Sequence, residues 1–328
     1  MISRRGLLTS TGGALAWPYV ARAQQPGKVW RVGILDTASA ESNAANIEAF
    51  RKGLRELGYV EGQNLILDYR AVTDGRAELF GDLASELVGL KVDLVVTRST
   101  AAIVAVQGAS ATVPVVMAAQ AEPLGSGVIG NLAHPGGNIT GLSAFALELV
   151  PKLIELLREI APRMTRVAVL TNMGNPVSAT RWDLAQAAAR SLGIEAQLCD
   201  VRSSPDIGPA FEAATSQGAG GIIAGNDPVL RSNLRTIIDL AAVHKLPTIH
   251  SDREFVAMGG LISYGPNYPL LYFRAASFVD RILKGARPAD LPIEQPTAVE
   301  MAINLKTAKA LGLTLPPSVL LRADQVIE

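Results

Sequence analysis

Small polar side chains recur at the points where short apolar runs of the sequence end. These runs, such as Trp30 to Leu35 and Asp93 to Val96, are β-rich and predict buried strands. Helix patterns begin directly after several of them, and the free N–H groups of a helix start favour a carboxylate. Acidic residues at the same places could hold an amine. The residues are Thr37 and Ser39; Thr97, Ser99 and Thr100; Gln120 and Glu122; Thr171, Asn172 and Asn175; Asn226 and Asp227; and Ser251 and Asp252.

These residues have two interpretations. Ser, Thr, Asn and Asp are the preferred helix N-caps, so any one of them could be a plain cap. A binding cleft explains the whole set better, because ligands of open α/β sheets bind outside the carboxyl ends of the strands. Ser99 and Thr100, before a small-residue helix, are the best candidates to hold a carboxylate. Asp227 or Asp252 would then take the amine.

Two tyrosines are further candidate ligand contacts. Only 5% of the chain is aromatic, and Tyr264 and Tyr268 flank Gly265-Pro266-Asn267, where the chain is expected to return from one domain to the other. A tyrosine there could stack on a planar ligand. It could equally complete the core between helix and sheet.

Motifs for catalysis or cofactor binding are incomplete. Gly125 to Gly130 matches G-x-G-x-x-G but follows the fourth predicted strand, whereas a dinucleotide site needs it between the first strand and its helix. His134, His244 and His250 lack metal-site spacing, and the sequence has neither a P-loop nor a G-x-S-x-G elbow. We therefore expect no catalytic residue, no metal and no cofactor, and we do not expect an enzyme.

Strand and helix patterns alternate along the chain and restart near Glu148. Asn43 to Leu57 and Tyr268 to Lys284 show the apolar spacing of one helical face. Strands separated by helices predict parallel sheets covered on both faces. The sequence therefore predicts an α/β protein with two doubly wound, Rossmann-like lobes, each of about 120 residues. The strand-end residues would line the cleft between them.

The first 23 residues have the order of a secretory leader. Arg4 and Arg5 precede an apolar run from Gly6 to Ala21, and Ala21-Arg22-Ala23 offers a cleavage site. The paired arginines indicate a twin-arginine signal peptide. An uncleaved anchor is the alternative, but the run is shorter than the about 20 apolar residues of a bilayer span. We expect a periplasmic mature protein, away from cytoplasmic ATP and NAD.

The amino-acid composition argues against a nucleic-acid partner and against a disulfide within the chain. Lys plus Arg and Asp plus Glu both number 30, so no net field attracts nucleic acid. Cys199 is the only cysteine, which excludes an internal disulfide and gives no reason to expect a lipid anchor. The leader and the lack of basic N-terminal helices exclude a cytoplasmic repressor.

Four segments carry a resemblance to a known family. They are Phe50 to Tyr59 (FRKGLRELGY), His134 to Gly141 (HPGGNITG), Ile262 to Gly265 (ISYG) and Ile303 to Ala308 (INLKTA). In these segments the chain resembles ABC-transporter substrate-binding proteins, in the family that includes tryptophan and tyrosine receptors. Where relatives often carry Asp-Pro after the fourth strand, this chain has Glu122-Pro123, which keeps the acid but lengthens it, so the resemblance does not define the head group of the ligand.

The resemblance implies a type I periplasmic-binding-protein fold with two lobes joined by a three-segment hinge. The implied lobes are residues 28–143 plus 267–290 and residues 144–266 plus 291–328, with hinge segments at 141–145, 264–267 and 288–296. It also implies a monomer that captures a small ligand in the cleft. The helix starts, which suit a carboxylate, and the acids, which suit an amine, predict that this ligand is amino acid-like or an aromatic carboxylate. The protein would deliver this ligand to an ABC permease in the inner membrane.

Two other functions remain open. A periplasmic sensor for a membrane signalling partner would share the fold and the cleft. An exported α/β enzyme would need a nucleophile and a base, or an acid–base pair such as Asp227 and Asp252. Only the shared strand-end placement of these two residues supports such a pair.

Overall fold

The computed structural model describes residues 28–73, 76–175, 177–296 and 299–328. The predicted signal peptide, residues 1–23, lies outside them. In the described parts the chain forms two sheets, and each has helices on both of its faces.

The first sheet has five parallel strands in the order β2-β1-β3-β4-β5. Three helices alternate with these strands, as the apolar periodicity predicts. The strands are β1 (Trp30–Asp36), β2 (Leu65–Ala71), β3 (Leu94–Thr97), β4 (Val115–Gln120) and β5 (Ile139–Ser143), and the helices are α1 (Ala44–Glu56), α2 (Phe80–Gly89) and α3 (Thr100–Ala109).

The second sheet has seven strands in the order β12-β11-β10-β9-β8-β6-β7. Its strands are β6 (Arg166–Thr171), β7 (Glu195–Asp200), β8 (Ile222–Ala224), β9 (Thr248–His250), β10 (Ile262–Pro266), β11 (Val299–Asn304) and β12 (Gln325–Ile327). Its helices are α4 (Val150–Ile160), α5 (Ser178–Ser191), α6 (Ile207–Ser216), α7 (Pro228–Ser232), α8 (Leu234–His244), α9 (Arg253–Ala257), α11 (Leu305–Ala310) and α12 (Pro317–Leu320). One further helix, α10 (Tyr268–Leu283), packs on the first sheet.

The second sheet differs from the prediction of purely parallel sheets. β10 and β11 pair antiparallel, and β12 runs parallel to β11. The physical reason is the path of the chain, because β10 leaves towards the first lobe and β11 returns from it beside β10. Sequence periodicity carries no signal for this reversal.

The chain passes between the lobes three times. The passages follow β5, join β10 to α10, and precede β11. Ahead of the third passage, Leu291 accepts a hydrogen bond from Thr140 Oγ1 at 2.8 Å. Glu294 exchanges backbone hydrogen bonds with Gly141 and Ser143 at 2.9 and 2.8 Å. Hydrogen bonds to the first sheet thus continue past the predicted boundary at 290/291, as far as Glu294.

The contact between α1 and α10 in the first lobe depends on one glycine. A Cβ atom at Gly53 would lie 2.5 Å from the Phe273 carbonyl oxygen and 2.8 Å from Ala276 Cβ. This closeness lets α10 cover the same face of the sheet as α1. The helix that follows β10 therefore becomes part of the first lobe.

The stretch between Pro228 and His244 forms two short helices, α7 and α8, in place of one continuous helix. The break is at Asn233, whose backbone lies outside the helical region and whose Nδ2 donates to the Val229 carbonyl at 2.7 Å. The side chain thus satisfies a carbonyl that the break would leave open. The short helix α7 before the break lies at the cleft and carries the buried Arg231.

Candidate functional site

A cavity of about 460 Å³ lies between the carboxyl ends of the strands of the two sheets. Both lobes contribute to its walls, as the strand-end pattern predicts. Its polar lining residues are Thr37, Arg98, Ser99, Thr100, Gln120, Asn172, Asn175, Asn226, Asp227 and Arg231. The lining also includes small and apolar residues: Ala77, Ala101, Val104, Ala105, Ala119, Ala121, Gly174, Val177, Pro228 and Val229.

The first-lobe wall is built around the start of α3. Ser99 is its N-cap, with its hydroxyl accepting from the Ala102 N–H at 3.4 Å. The Thr100 hydroxyl accepts from Gln120 Nε2 at 2.7 Å, which joins the ends of β3 and β4. The Thr37 backbone and side chain both donate to the neighbouring carboxylate of Asp36. This wall therefore presents a helix start, neutral hydroxyl and amide groups, and the guanidinium of Arg98 to the cavity.

The second-lobe wall centres on Asp227, which is 1% exposed. Its carboxylate accepts from the Val229 N–H at 2.9 Å, from Asn175 Nδ2 at 2.8 Å and from Asn172 Nδ2 at 3.4 Å. Burial raises the pKa of Asp227, while these hydrogen bonds and the charge of Arg181 oppose the rise. The site thus contains one carboxylate in its lining, fixed by two amides and a backbone donor.

Two arginines in the lining were absent from the predicted site. Arg98 and Arg231 are 8% and 6% exposed. Arg231 Nη1 donates to Asp252 Oδ2, and its Nη2 donates to Glu254 at 3.2 Å. An arginine within a polar run of sequence is usually interpreted as a solvated side chain. Arg98 lies 154 residues before its partner Asp252, and no local sequence pattern indicates so distant a contact.

Several predicted residues support the walls without lining the cavity. Thr97 accepts from the Ser99 N–H at 3.2 Å, and Thr171 Oγ1 donates to Ser178 at 2.9 Å. Ser39 faces Ser42 in the loop before α1. Glu122 accepts from the Gly125 N–H at 3.2 Å, so its carboxylate faces its own turn.

The predicted residues after β9 and around β10 also lie outside the lining. Asp252 caps α9 and pairs with Arg231, so its carboxylate is engaged outside the cavity lining. Ser251 lies at a separate cavity beside β10 and β11. Tyr264 packs partly buried against the core of the second lobe. Tyr268 is buried below the cavity, where its hydroxyl accepts from Asn226 Nδ2 at 2.7 Å.

Within the described residues, no helix has the length and apolarity needed to cross a membrane.

Known proteins share both the sequence and the fold of this chain. Residues 31–327 match the family described as ABC transporter substrate binding protein. A tyrosine-binding protein of Clostridioides difficile is 25% identical over 266 residues, which are 81% of this chain and 76% of that protein.

Two crystal structures superpose closely on the chain. A conserved domain protein from Vibrio cholerae is 28% identical, with a TM-score of 0.84 over 91% of this chain and 100% of its own. An ABC domain in complex with L-Trp, from Streptococcus pneumonia, is also 28% identical, with a TM-score of 0.83 over 92% of this chain and 100% of its own. The predicted two-lobed α/β architecture of type I periplasmic binding proteins is confirmed. The chain belongs to the family of ABC transporter substrate binding proteins.

Proposed function

We propose that this chain is the extracytoplasmic solute-binding protein of an ABC importer. It captures a small amino acid-like or aromatic carboxylate ligand between its lobes and delivers it to a permease in the inner membrane. The observation that carries the proposal is the cavity between the strand ends, which presents a helix start from one lobe and a carboxylate from the other. Membership in the substrate-binding family supports the transport role.

The charges of the cavity suit a zwitterion. Ser99 and Thr100 begin a ten-residue helix, whose first N–H groups and positive dipole end stabilise an anion. Asp227, in the opposite wall, is an acceptor for an ammonium group. A solute with both groups would touch both lobes, so it would favour the closed arrangement by contacts that an open cleft cannot supply.

The apolar lining suits the remainder of such a solute. Val104 and Ala105 on α3 and Val177 before α5 contribute aliphatic surface to the same cavity. A volume of about 460 Å³ is within the usual range of small-molecule sites, about 300 to 1,000 Å³. The relatives that bind tyrosine or hold L-Trp make aromatic amino acids the first solutes to test.

Calorimetric titration of residues 24–328 against amino acids and aromatic acids tests the solute. We expect L-tryptophan, L-tyrosine or a related amino acid to bind more tightly than about 100 μM, about −5.5 kcal/mol. Aromatic acids that lack the amine serve as matched controls for the role of Asp227. Failure of every panel member to reach that affinity would contradict the proposed ligand class.

Export of the chain is a separate proposal with its own test. We propose that residues 1–23 are cleaved and that the mature protein is periplasmic and monomeric. Cell fractionation of the chain and of an Arg4→Lys, Arg5→Lys variant tests the twin-arginine route, since the paired arginines are its signal. The variant should accumulate in the cytoplasm, and undiminished export would contradict the route.

A further inference from the structure

Five charged side chains meet where the two lobes touch, and two of them, Arg98 and Arg231, also line the cavity. Asp36 and Arg98 belong to the first lobe, and Arg231, Asp252 and Glu254 to the second. Side-chain exposure is 0% and 6% for the first pair and 3%, 6% and 27% for the other three. We call these five residues the seam cluster. Because they are buried, their interactions are screened far less than those of surface pairs.

The charges of the seam cluster do not balance within each lobe. The first lobe contributes one cation and one anion, Arg98 and Asp36, with Arg98 Nε 4.0 Å from the carboxylate. The second lobe contributes two carboxylates and only one guanidinium, that of Arg231. Its half of the seam therefore carries an excess negative charge, which faces Arg98 of the other lobe.

The contact across the seam is ionic and lacks a hydrogen bond. Arg98 Nη2 lies 3.8 Å from Asp252 Oδ2. Among the described residues, neither Nη1 nor Nη2 of Arg98 has a hydrogen-bond partner, although both are buried. The guanidinium carbon lies 5.0 Å from the centre of the Tyr268 ring, within the range of a cation–π interaction. Arg98 is thus held at the seam by its own lobe and attracted by the other.

Asp36 of the first lobe also attracts Arg231 of the second, but the two form no salt bridge among the described residues. Two hydrogen bonds that cross the seam are neutral. Asn226 Nδ2 donates to the Tyr268 hydroxyl at 2.7 Å, and Ser232 Oγ to the Thr37 carbonyl at 3.3 Å. Neutral hydrogen bonds exchange readily for water, so their net contribution is smaller than that of charged groups. The Arg98–Asp252 contact is therefore the interaction at the seam whose loss should change closure most.

We propose that Arg98 and Asp252 form an interlobe ionic latch that favours the closed arrangement even without solute. This proposal depends on the proposed function, in which the lobes close around a solute. The latch adds to the free energy of closing a contribution that does not depend on the solute. Because Asp252 does not line the cavity, the latch sets solute affinity through the closed fraction of the protein.

Asp252→Asn tests the latch with little change of shape. The amide oxygen can still accept from the Glu254 N–H, as Asp252 Oδ1 does at 3.1 Å, so the cap of α9 is kept. Removal of the charge leaves Arg98 facing Arg231, with Asp36 and Glu254 as the remaining carboxylates of the seam cluster. We expect small-angle X-ray scattering of the solute-free protein to show an about tenfold or larger fall in the closed-to-open ratio.

Glu159→Gln is the matched control in the same lobe. Glu159 also pairs with an arginine, Arg322, but on the surface and away from the seam. This variant should scatter as the wild type does. A wild-type closed fraction in Asp252→Asn would overturn the latch, and so would an equal opening of both variants.

A double-mutant cycle separates the latch from general damage. Arg98→Gln should also open the protein, and combining it with Asp252→Asn should add little, because either change alone removes the pair. If Asp252→Asn fails to fold, as judged by thermal melting, Arg98→Gln carries the same test and the same contrary outcome. If the wild type binds a solute while neither variant opens, the latch is wrong and the proposed function stands. If the wild type binds no amino acid or aromatic acid, the proposed function fails instead.

Discussion

The two walls of the cleft satisfy their polar groups in opposite ways. In the first-lobe wall, neutral groups bond to one another, as Gln120 does to Thr100, and a helix start remains directed at the cavity. In the second-lobe wall, two amides and a backbone N–H converge on one carboxylate, Asp227. The first wall suits an anion and the second a cation. The two lobes share an α/β architecture but differ at the strand ends, where the backbone pattern leaves the choice of residue free.

Among the substitutions considered, Asp227→Asn should reduce the difference between the two walls most, because it removes the carboxylate of the second-lobe wall. Asparagine keeps the cap of α7 and the approximate shape, but it removes the charge that would hold an ammonium group. We expect affinity for a bound amino acid to fall about 100-fold, near 3 kcal/mol, by calorimetry. Asp206→Asn, an exposed capping acid in the same lobe, is the control and should bind normally. If Asp227→Asn lowers the affinity for an amine-free analogue as much as the affinity for the amino acid, Asp227 does not bind the amine.

Solute affinity should also depend on pH through Asp227. Burial raises the pKa of this carboxyl, and only its ionised form attracts an ammonium group. Affinity should therefore be constant near neutral pH and fall as the pH drops through the raised pKa of Asp227. Titrations at stepped pH measure this, with Asp227→Asn as the control that should lack the step. An affinity that rises on acidification would contradict the assignment.

Thr100→Val should weaken the first-lobe wall more modestly. The change removes the hydroxyl that accepts from Gln120 and leaves that buried amide without its partner. We expect about tenfold weaker binding of the carboxylate and a loss of about 1 to 2 kcal/mol in the free energy of unfolding. Thr112→Val, in the exposed turn before β4, is a matched control. Unchanged affinity in Thr100→Val would place the carboxylate elsewhere.

Gly53→Ala should affect neither wall and so separates stability from binding. The added methyl group would press on α10, which lowers the free energy of unfolding by about 1 to 3 kcal/mol. Affinity should stay within about twofold of the wild type, because Gly53 lies outside the cavity lining. Denaturant unfolding and calorimetry on the same sample check both values. A large loss of affinity would show that the α1–α10 contact controls the cleft.

The alternation of elements was readable because it is a local property. Apolar residues repeat every two positions in a half-buried strand and every 3.6 positions in an amphipathic helix. This spacing predicted the alternating strands and helices of the two lobes. The short elements α9, α12 and β12 were missed, since segments of three to five residues are too brief for periodicity to show. The reversal of β11 was missed because strand direction depends on the path of the chain between lobes.

The sequence predicted the position of many of the polar residues that line the cavity, while the role of each residue stays a prediction. Ser99, Thr100, Gln120, Asn172, Asn175, Asn226 and Asp227 follow strand ends and line the cavity, as does Thr37. Asp227 and Asp252 look equivalent in the sequence, since both cap a helix after a strand. In the structure Asp252 pairs with Arg231, which the break at Asn233 helps to place.

The sequence by itself determined the two sets of alternating strands and helices and the polar character of their ends, because burial periodicity and capping act over a few residues. Only the tertiary structure decided which of those ends share one cavity and which charges meet at the seam. Arg98 and Asp252 are 154 positions apart, and their proximity depends on how two lobes close on each other. No local preference encodes that distance, so the buried arginines became visible only when the lobes were placed together.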